Sequence, residues 1–198
     1  MKILSSFFVA LMFSASAHGG MTFIKGDTTN NAEVKIAGIY FNGTVNNQTI
    51  TWLMSGLTEI QANYRNVDNI DIYLNSEGGD MDASFVAYEF LKKFPIKINM
   101  INSSMTGSAA TIIYCASDNR YAMPMSNFLL HPAAASYDKT DYIKPDQAKR
   151  IVEEDDAYNK MFQKVYATCT TLTPDELNQI TAAESGRKMY DANNAIKH

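Results

Sequence analysis

The apolar positions change period several times along the chain, and each change marks an element. Over residues 34–41 a β-branched and aromatic run ends at the turn pair Asn42-Gly43 and predicts a first strand. Ile50, Leu53, Met54, Leu57 and Ile60 then recur at helical spacing, so residues 48–64 read as an amphipathic helix. Residues 70–75 read as a second strand. A helix over 82–94 follows, with Val86, Phe90 and Leu91 directed inward and Pro95 as its stop. Residues 96–101 form a third, buried strand, and residues 109–116 a short apolar helix. Two short strands, 120–123 and 127–130, are separated by Pro124. Pro145 suits the first position of a long helix reaching residue 167, charged on one face, with Ile151, Tyr158, Met161, Phe162 and Val165 on another. Thr173-Pro174-Asp175-Glu176 is a capping box for a helix to Ile180, and a last helix starts at Asp191.

Strands alternating with helices predict an α/β fold of parallel βαβ units, with the strand carboxyl ends along one edge. In such sheets that edge is where ligands bind. The 46% hydrophobic content supports one domain with a real core, placed at residues 34–198. Ahead of it, Lys2, the apolar run to Phe13 and the small-residue end Ser14-Ala15-Ser16-Ala17 have the three parts of a secretory signal, residues 1–17. Residues 18–33 read as a flexible leader. The expected location is therefore outside the cytoplasm, periplasmic or secreted, with no membrane span in the mature chain. A formal charge of -4 and no basic cluster argue against nucleic acid as a partner. Export permits a disulfide, and Cys115 and Cys169 are the two cysteines. Cys115 falls in an apolar helix, where a small buried thiol is the commoner state, so two free cysteines are expected. No zinc-like spacing is present, and neither a metal nor a cofactor is implied.

The chemistry gathers at three points of the sheet edge. Ser108 stands between the third strand and a helix rich in small residues, where unpaired backbone N–H groups favour a developing negative charge. Close helix–sheet packing explains the same small residues without chemistry. Gly78-Gly79 follows the second strand and lets backbone N–H groups point outward, as would a plain tight turn. A nucleophilic serine needs a base. Of three histidines, His18 sits at the expected cleavage point and His198 ends the sequence, which leaves His131, at a strand end before Pro132. The oxyanion donors would be the N–H groups of Gly79 and Ala109.

Asn75-Ser76-Glu77-Gly78-Gly79, the Ser108 segment and Leu130-His131-Pro132, in this order, resemble the Clp protease proteolytic subunit family. The short spacing from Ser108 to His131 is similar to its phage-type members. The resemblance implies a ClpP/crotonase-like fold of repeated β-β-α and βαβ units with a protruding handle helix, here the one after Pro145. It implies a serine endopeptidase with Ser108 as nucleophile, His131 as base, and Gly79 and Ala109 as oxyanion donors. It also implies a homo-oligomeric ring, heptameric in the family. The substrate would be a peptide or an unfolded protein.

Two departures bear on mechanism. Glu77 stands where the family has proline. The position expected for the triad aspartate is Arg187, so Glu184 is taken as the third catalytic residue, with Asp191 as the alternative and solvated surface charge as the ordinary explanation of both. Gly186-Arg187 also resembles the signal peptide peptidase family, whose Ser-Lys dyad would make Lys139 or Lys144 the base. Those lysines lie in polar sequence that would not desolvate them. An ATPase unfoldase partner is not expected outside the cytoplasm, where ATP is scarce. The competing class is a non-catalytic oligomeric scaffold or peptide-binding protein.

Overall fold

The computed structural model describes residues 34–135 and 142–198. The signal segment, the leader and Lys139 lie outside them. Strands β1 (Ile36–Asn42), β2 (Asn69–Ser76) and β3 (Lys97–Gly107) are parallel neighbours. Helices α1 (Asn47–Asn63) and α2 (Met81–Lys92) connect them. After α3 (Ala109–Tyr114), β4 (Asn119–Ala122) and β5 (Asn127–Leu130) pair in succession with β3, both parallel. Then come α4 (Pro145–Cys169), α5 (Pro174–Ala182), β6 (Lys188–Asp191) and α6 (Ala192–Ala195). The sheet order is β1-β2-β3-β5-β6, with β4 beside β3. The expected parallel α/β architecture and the long helix after Pro145 are both present.

Alternation along β2 buries Ile70, Ile72, Leu74 and Ser76 on one face. That face, with Ile39, Phe41 and Met100, packs on Leu53 and Leu57 of α1 and Ala83 and Ala87 of α2. A second core joins Ile112 of α3 and Phe128 of β5 to Phe162 and Tyr166 of α4 and Leu177 and Ile180 of α5. The other sheet face carries a row in register, Tyr40, Tyr73, Ile101 and Tyr121, in which the first two rings stack at 4.9 Å. Tyr40 and Tyr121 are exposed, so this row is apolar surface that the described helices leave uncovered.

The structure corrects the sequence reading at several places. Val86 faces solvent, because α2 turns the stripe Ala83, Ala87 and Leu91 to the core and Val86 lies off that stripe. On α4, Met161 is likewise exposed while Phe162, Val165 and Tyr166 are buried. β3 continues to Gly107 through a polar stretch, since its side chains bind the flanking strands: Asn102 Nδ2 donates to Asn127 O at 2.8 Å and Ser103 Oγ to Leu74 O at 3.1 Å. β6 is a strand that the apolar pattern does not predict, made by its pairing with β5.

The expected free cysteines are in fact joined. Cys115, just after α3, and Cys169, the last residue of α4, form a disulfide across Cα atoms 5.5 Å apart. The helix packing that aligns them is tertiary, so burial preference along the sequence could not show it. The bond spans 54 residues, a loop for which the chain-entropy model assigns about 4 kcal/mol. Replacing both cysteines by serine, or reducing the bond, is expected to lower the melting temperature by roughly 8 °C or more. Calorimetry with and without reductant checks this; an unchanged midpoint would mean that the bridge does not stabilise the fold.

Candidate functional site

The site is assembled by backbones that approach closely. At the end of β2, Gly78 N donates to Ser76 Oγ at 3.1 Å, and Val45 N donates to Gly78 O at 2.8 Å. Asp80 N then donates to Val45 O at 2.8 Å, and the Asp80 carboxylate caps α2 through Ala83 N. The loop is thus pinned on both sides of Gly79. Gly78 has φ 111° and Gly79 φ 145°, conformations costly for any L side chain. A Cβ on Gly78 would lie 2.7 Å from Ser108 Cβ and 2.8 Å from Gly107 O, and one on Gly79 would lie 2.2 Å from Val45 O. Gly78 is therefore required by contact with the serine corner, and Gly79 by contact with Thr44 and Val45, beyond what a plain turn needs. Glu77, in place of proline, directs an exposed side chain away while its backbone makes the close approach to Gly107.

Ser108 has φ 51° and ψ −128°, and it is the only non-glycine residue with positive φ among the described residues. Such a conformation costs about 1–3 kcal/mol and persists only where the surroundings enforce it. Ser108 N donates to Leu129 O of β5 at 2.9 Å, and Ser108 O accepts from Thr111 N at 2.9 Å. The hydroxyl makes no capping bond to α3 and has no hydrogen-bond partner among the described residues. α3 spans six residues, shorter than expected, so the first N–H groups matter more here than a summed helix dipole. Among the described residues no hydrogen bond uses the N–H of Gly79 or of Ala109.

His131 leaves the end of β5 two residues beyond Leu129, which is the register partner of Gly107. Ser108 and His131 therefore emerge from the carboxyl ends of adjacent parallel strands, with no hydrogen bond between them among the described residues. Ala133 N donates to Asn159 Oδ1 of α4 at 2.7 Å and holds the chain just past His131-Pro132. The carboxylate beside His131 comes from the turn just before β6. Antiparallel pairing of Leu130 with Lys188 of β6 brings that 3-10 turn, Glu184–Gly186, to the histidine. Glu184 Oε2 lies 3.8 Å from His131 Nδ1, and Glu184 Oε1 accepts from Arg187 Nη1 at 3.1 Å. The side chains of His131 and Glu184 are 23% and 63% exposed, so water screens this pair.

The alternatives sit elsewhere. Asp191 pairs with Asn127 at the opposite end of β5, three ladder positions or roughly 10 Å from Leu130. Its carboxylate caps α6, accepting from Asn194 N at 2.8 Å and Asn194 Nδ2 at 3.1 Å. Lys144 is an exposed residue at the start of α4. A cavity of about 420 Å³ lined by Tyr114, Arg120, Leu172 and Tyr190 includes none of the expected site residues.

The fold is that of a parallel α/β protein whose ligand edge carries a glycine loop, a strained serine and a strand-end histidine. The family model described as Clp protease matches residues 26–198, and the chain belongs to that family. ATP-dependent Clp protease proteolytic subunit 2 of Borreliella burgdorferi is 27% identical over 122 residues, 61% of this chain and 52% of that protein. Subunit 3 of Rhizobium johnstonii is 27% identical over 150 residues, 74% of each chain. The first of these matches thus spans about half the length of its relative. A solved ClpP1 mutant from Listeria monocytogenes superposes with a TM-score of 0.66 over 81% of this chain and 85% of its own, at 18% identity. That likeness establishes a ClpP-like fold.

Gly78→Ala is expected to destabilise the fold by about 2 kcal/mol or more, since it combines strained φ with contact against Ser108. Chemical denaturation checks this. A loss below about 0.5 kcal/mol would show that the serine corner gives way to a methyl group, contrary to the packing described.

Proposed function

We propose that the chain is a serine endopeptidase acting on peptides or unfolded proteins. The observation that carries this reading is the strained Ser108 with its free hydroxyl, wedged against a glycine loop that only glycine can form. Ser108 Oγ attacks the scissile carbonyl while His131 Nε2 takes its proton. Glu184, facing Nδ1, favours the tautomer with the proton on Nδ1 and steadies the imidazolium. The N–H groups of Gly79 and Ala109 bind the oxyanion. Collapse of the tetrahedral species expels the amine, which receives the proton from His131. Water, activated by the same base, then releases the acid from the acyl-enzyme. Glu184 takes over from the position occupied by Arg187, and Arg187 holds its other oxygen.

The uncovered row Tyr40, Tyr73, Ile101 and Tyr121 supports assembly into a homo-oligomeric ring, because so much aligned apolar surface favours burial against another copy. The Cys115–Cys169 bridge supports work in an oxidising, extracytoplasmic compartment. There the enzyme acts without an ATPase unfoldase.

Labelling of the purified protein by a fluorophosphonate probe tests the reading. Ser108→Ala is expected to abolish labelling, and His131→Ala to slow it by about a thousand-fold or more. Glu184→Gln is expected to slow it by about ten-fold, a modest figure that reflects solvent screening, while Asp191→Asn stays within about two-fold of wild type. A folded wild type that does not label would overturn the peptidase reading in favour of a scaffold. Labelling that survives His131→Ala would move the base to a lysine.

A further inference from the structure

Resting on the peptidase reading, we infer that Thr111 and Tyr166 are positioning residues that aim the oxyanion-binding N–H of Ala109. The Ser108 carbonyl and the Ala109 N–H belong to one trans peptide plane and point in opposite directions. Whatever fixes the carbonyl therefore fixes the donor. Thr111 Oγ1 donates to Ser108 O at 2.5 Å, alongside the 2.9 Å bond from Thr111 N. Thr111 has one hydroxyl proton, and a carbonyl can only accept. The 2.7 Å contact between Thr111 Oγ1 and Tyr166 Oη is therefore donated by Tyr166. The chain of bonds runs from α4 through α3 to the strained residue, and Thr111 and Tyr166 are both buried.

Burial pushes the Tyr166 phenol up to about 12, partly opposed by its bond with Thr111, so it remains a donor at every pH at which the protein would work. The same two helices are joined one turn further on by Cys115–Cys169, four residues after Thr111 and three after Tyr166. The bridge thus holds the phenol at its station. Nothing in packing alone calls for two hydroxyls in contact here, where Val and Phe would fill the same volume without polar atoms to satisfy.

The test measures kinact and KI for a fluorophosphonate on the full chain. Thr111→Val is expected to lower kinact about ten-fold with KI unchanged, and Thr111→Ser to restore it. Tyr166→Phe is expected to lower kinact several-fold, and to add nothing in the Thr111→Val background, because it acts through that hydroxyl. Ile180→Val, in the same core, reads the effect of lost stability alone and leaves kinact unchanged below its melting temperature. Thr111→Val within two-fold of wild type would overturn the inference, as would independent effects of the two variants. A folded wild type that never labels would instead overturn the peptidase reading beneath it.

Discussion

The contact on which the site depends is backbone against backbone, where the loop after β2 meets the end of β3. Gly78 approaches Ser108 and Ala109, and Gly107 approaches Glu77, at distances that exclude even a methyl group. Parallel pairing of β2 with β3 sets the direction of approach, and a register shift after Leu74 lets the strand ends close together. The strained serine follows from this. The chain must leave a buried strand, avoid the glycine loop and enter a helix within one residue, and φ 51° is how it does so. Strain of this kind persists only because the bond that Ser108 N donates to Leu129 O, the bonds that Ser108 O accepts from Thr111 and the wall of Gly78 hold both sides of the residue.

The histidine side is built by different means. His131 is set by β5 and by Asn159 on α4, whereas Glu184 is set by β6, which folds back along β5. Gly186 lets that return pass close to α5, where a Cβ would lie 1.9 Å from Gln179 O. The result is a carboxylate that faces an imidazole through one oxygen and a guanidinium through the other. The short turn thus brings Glu184, with Arg187 on its other oxygen, beside the histidine that follows β5.

α4 serves both halves. Its Asn159 anchors the chain after His131, its Tyr166 reaches the serine corner through Thr111, and its Cys169 is bonded to Cys115. Tyr158 adds a 3.1 Å bond to Asp82 of α2, next to the glycine loop. A helix that reads in sequence terms as a charged appendage is therefore the element to which Ser108, the chain after His131 and the glycine loop are all tied.

The sequence alone determined the parallel α/β order and the long helix, and singled out three positions along one sheet edge, because each rests on local rules. These are the strand and helix periods, a Gly-Gly pair after a strand, a serine at a strand-to-helix corner and a histidine at a strand end. It left open what depends on contacts between distant segments. Residues 188–191 are too short and polar to announce a strand, and only pairing with β5 makes them one, which decides between Glu184 and Asp191 as neighbour of His131. Val86 was misplaced because the small residues Ala83 and Ala87, weak signals of hydrophobicity, are what lets α2 sit close. The disulfide was missed for the same reason: Cys115 is apolar in its local setting, and only the packing of α3 on α4 shows that its nearest neighbour is another sulfur.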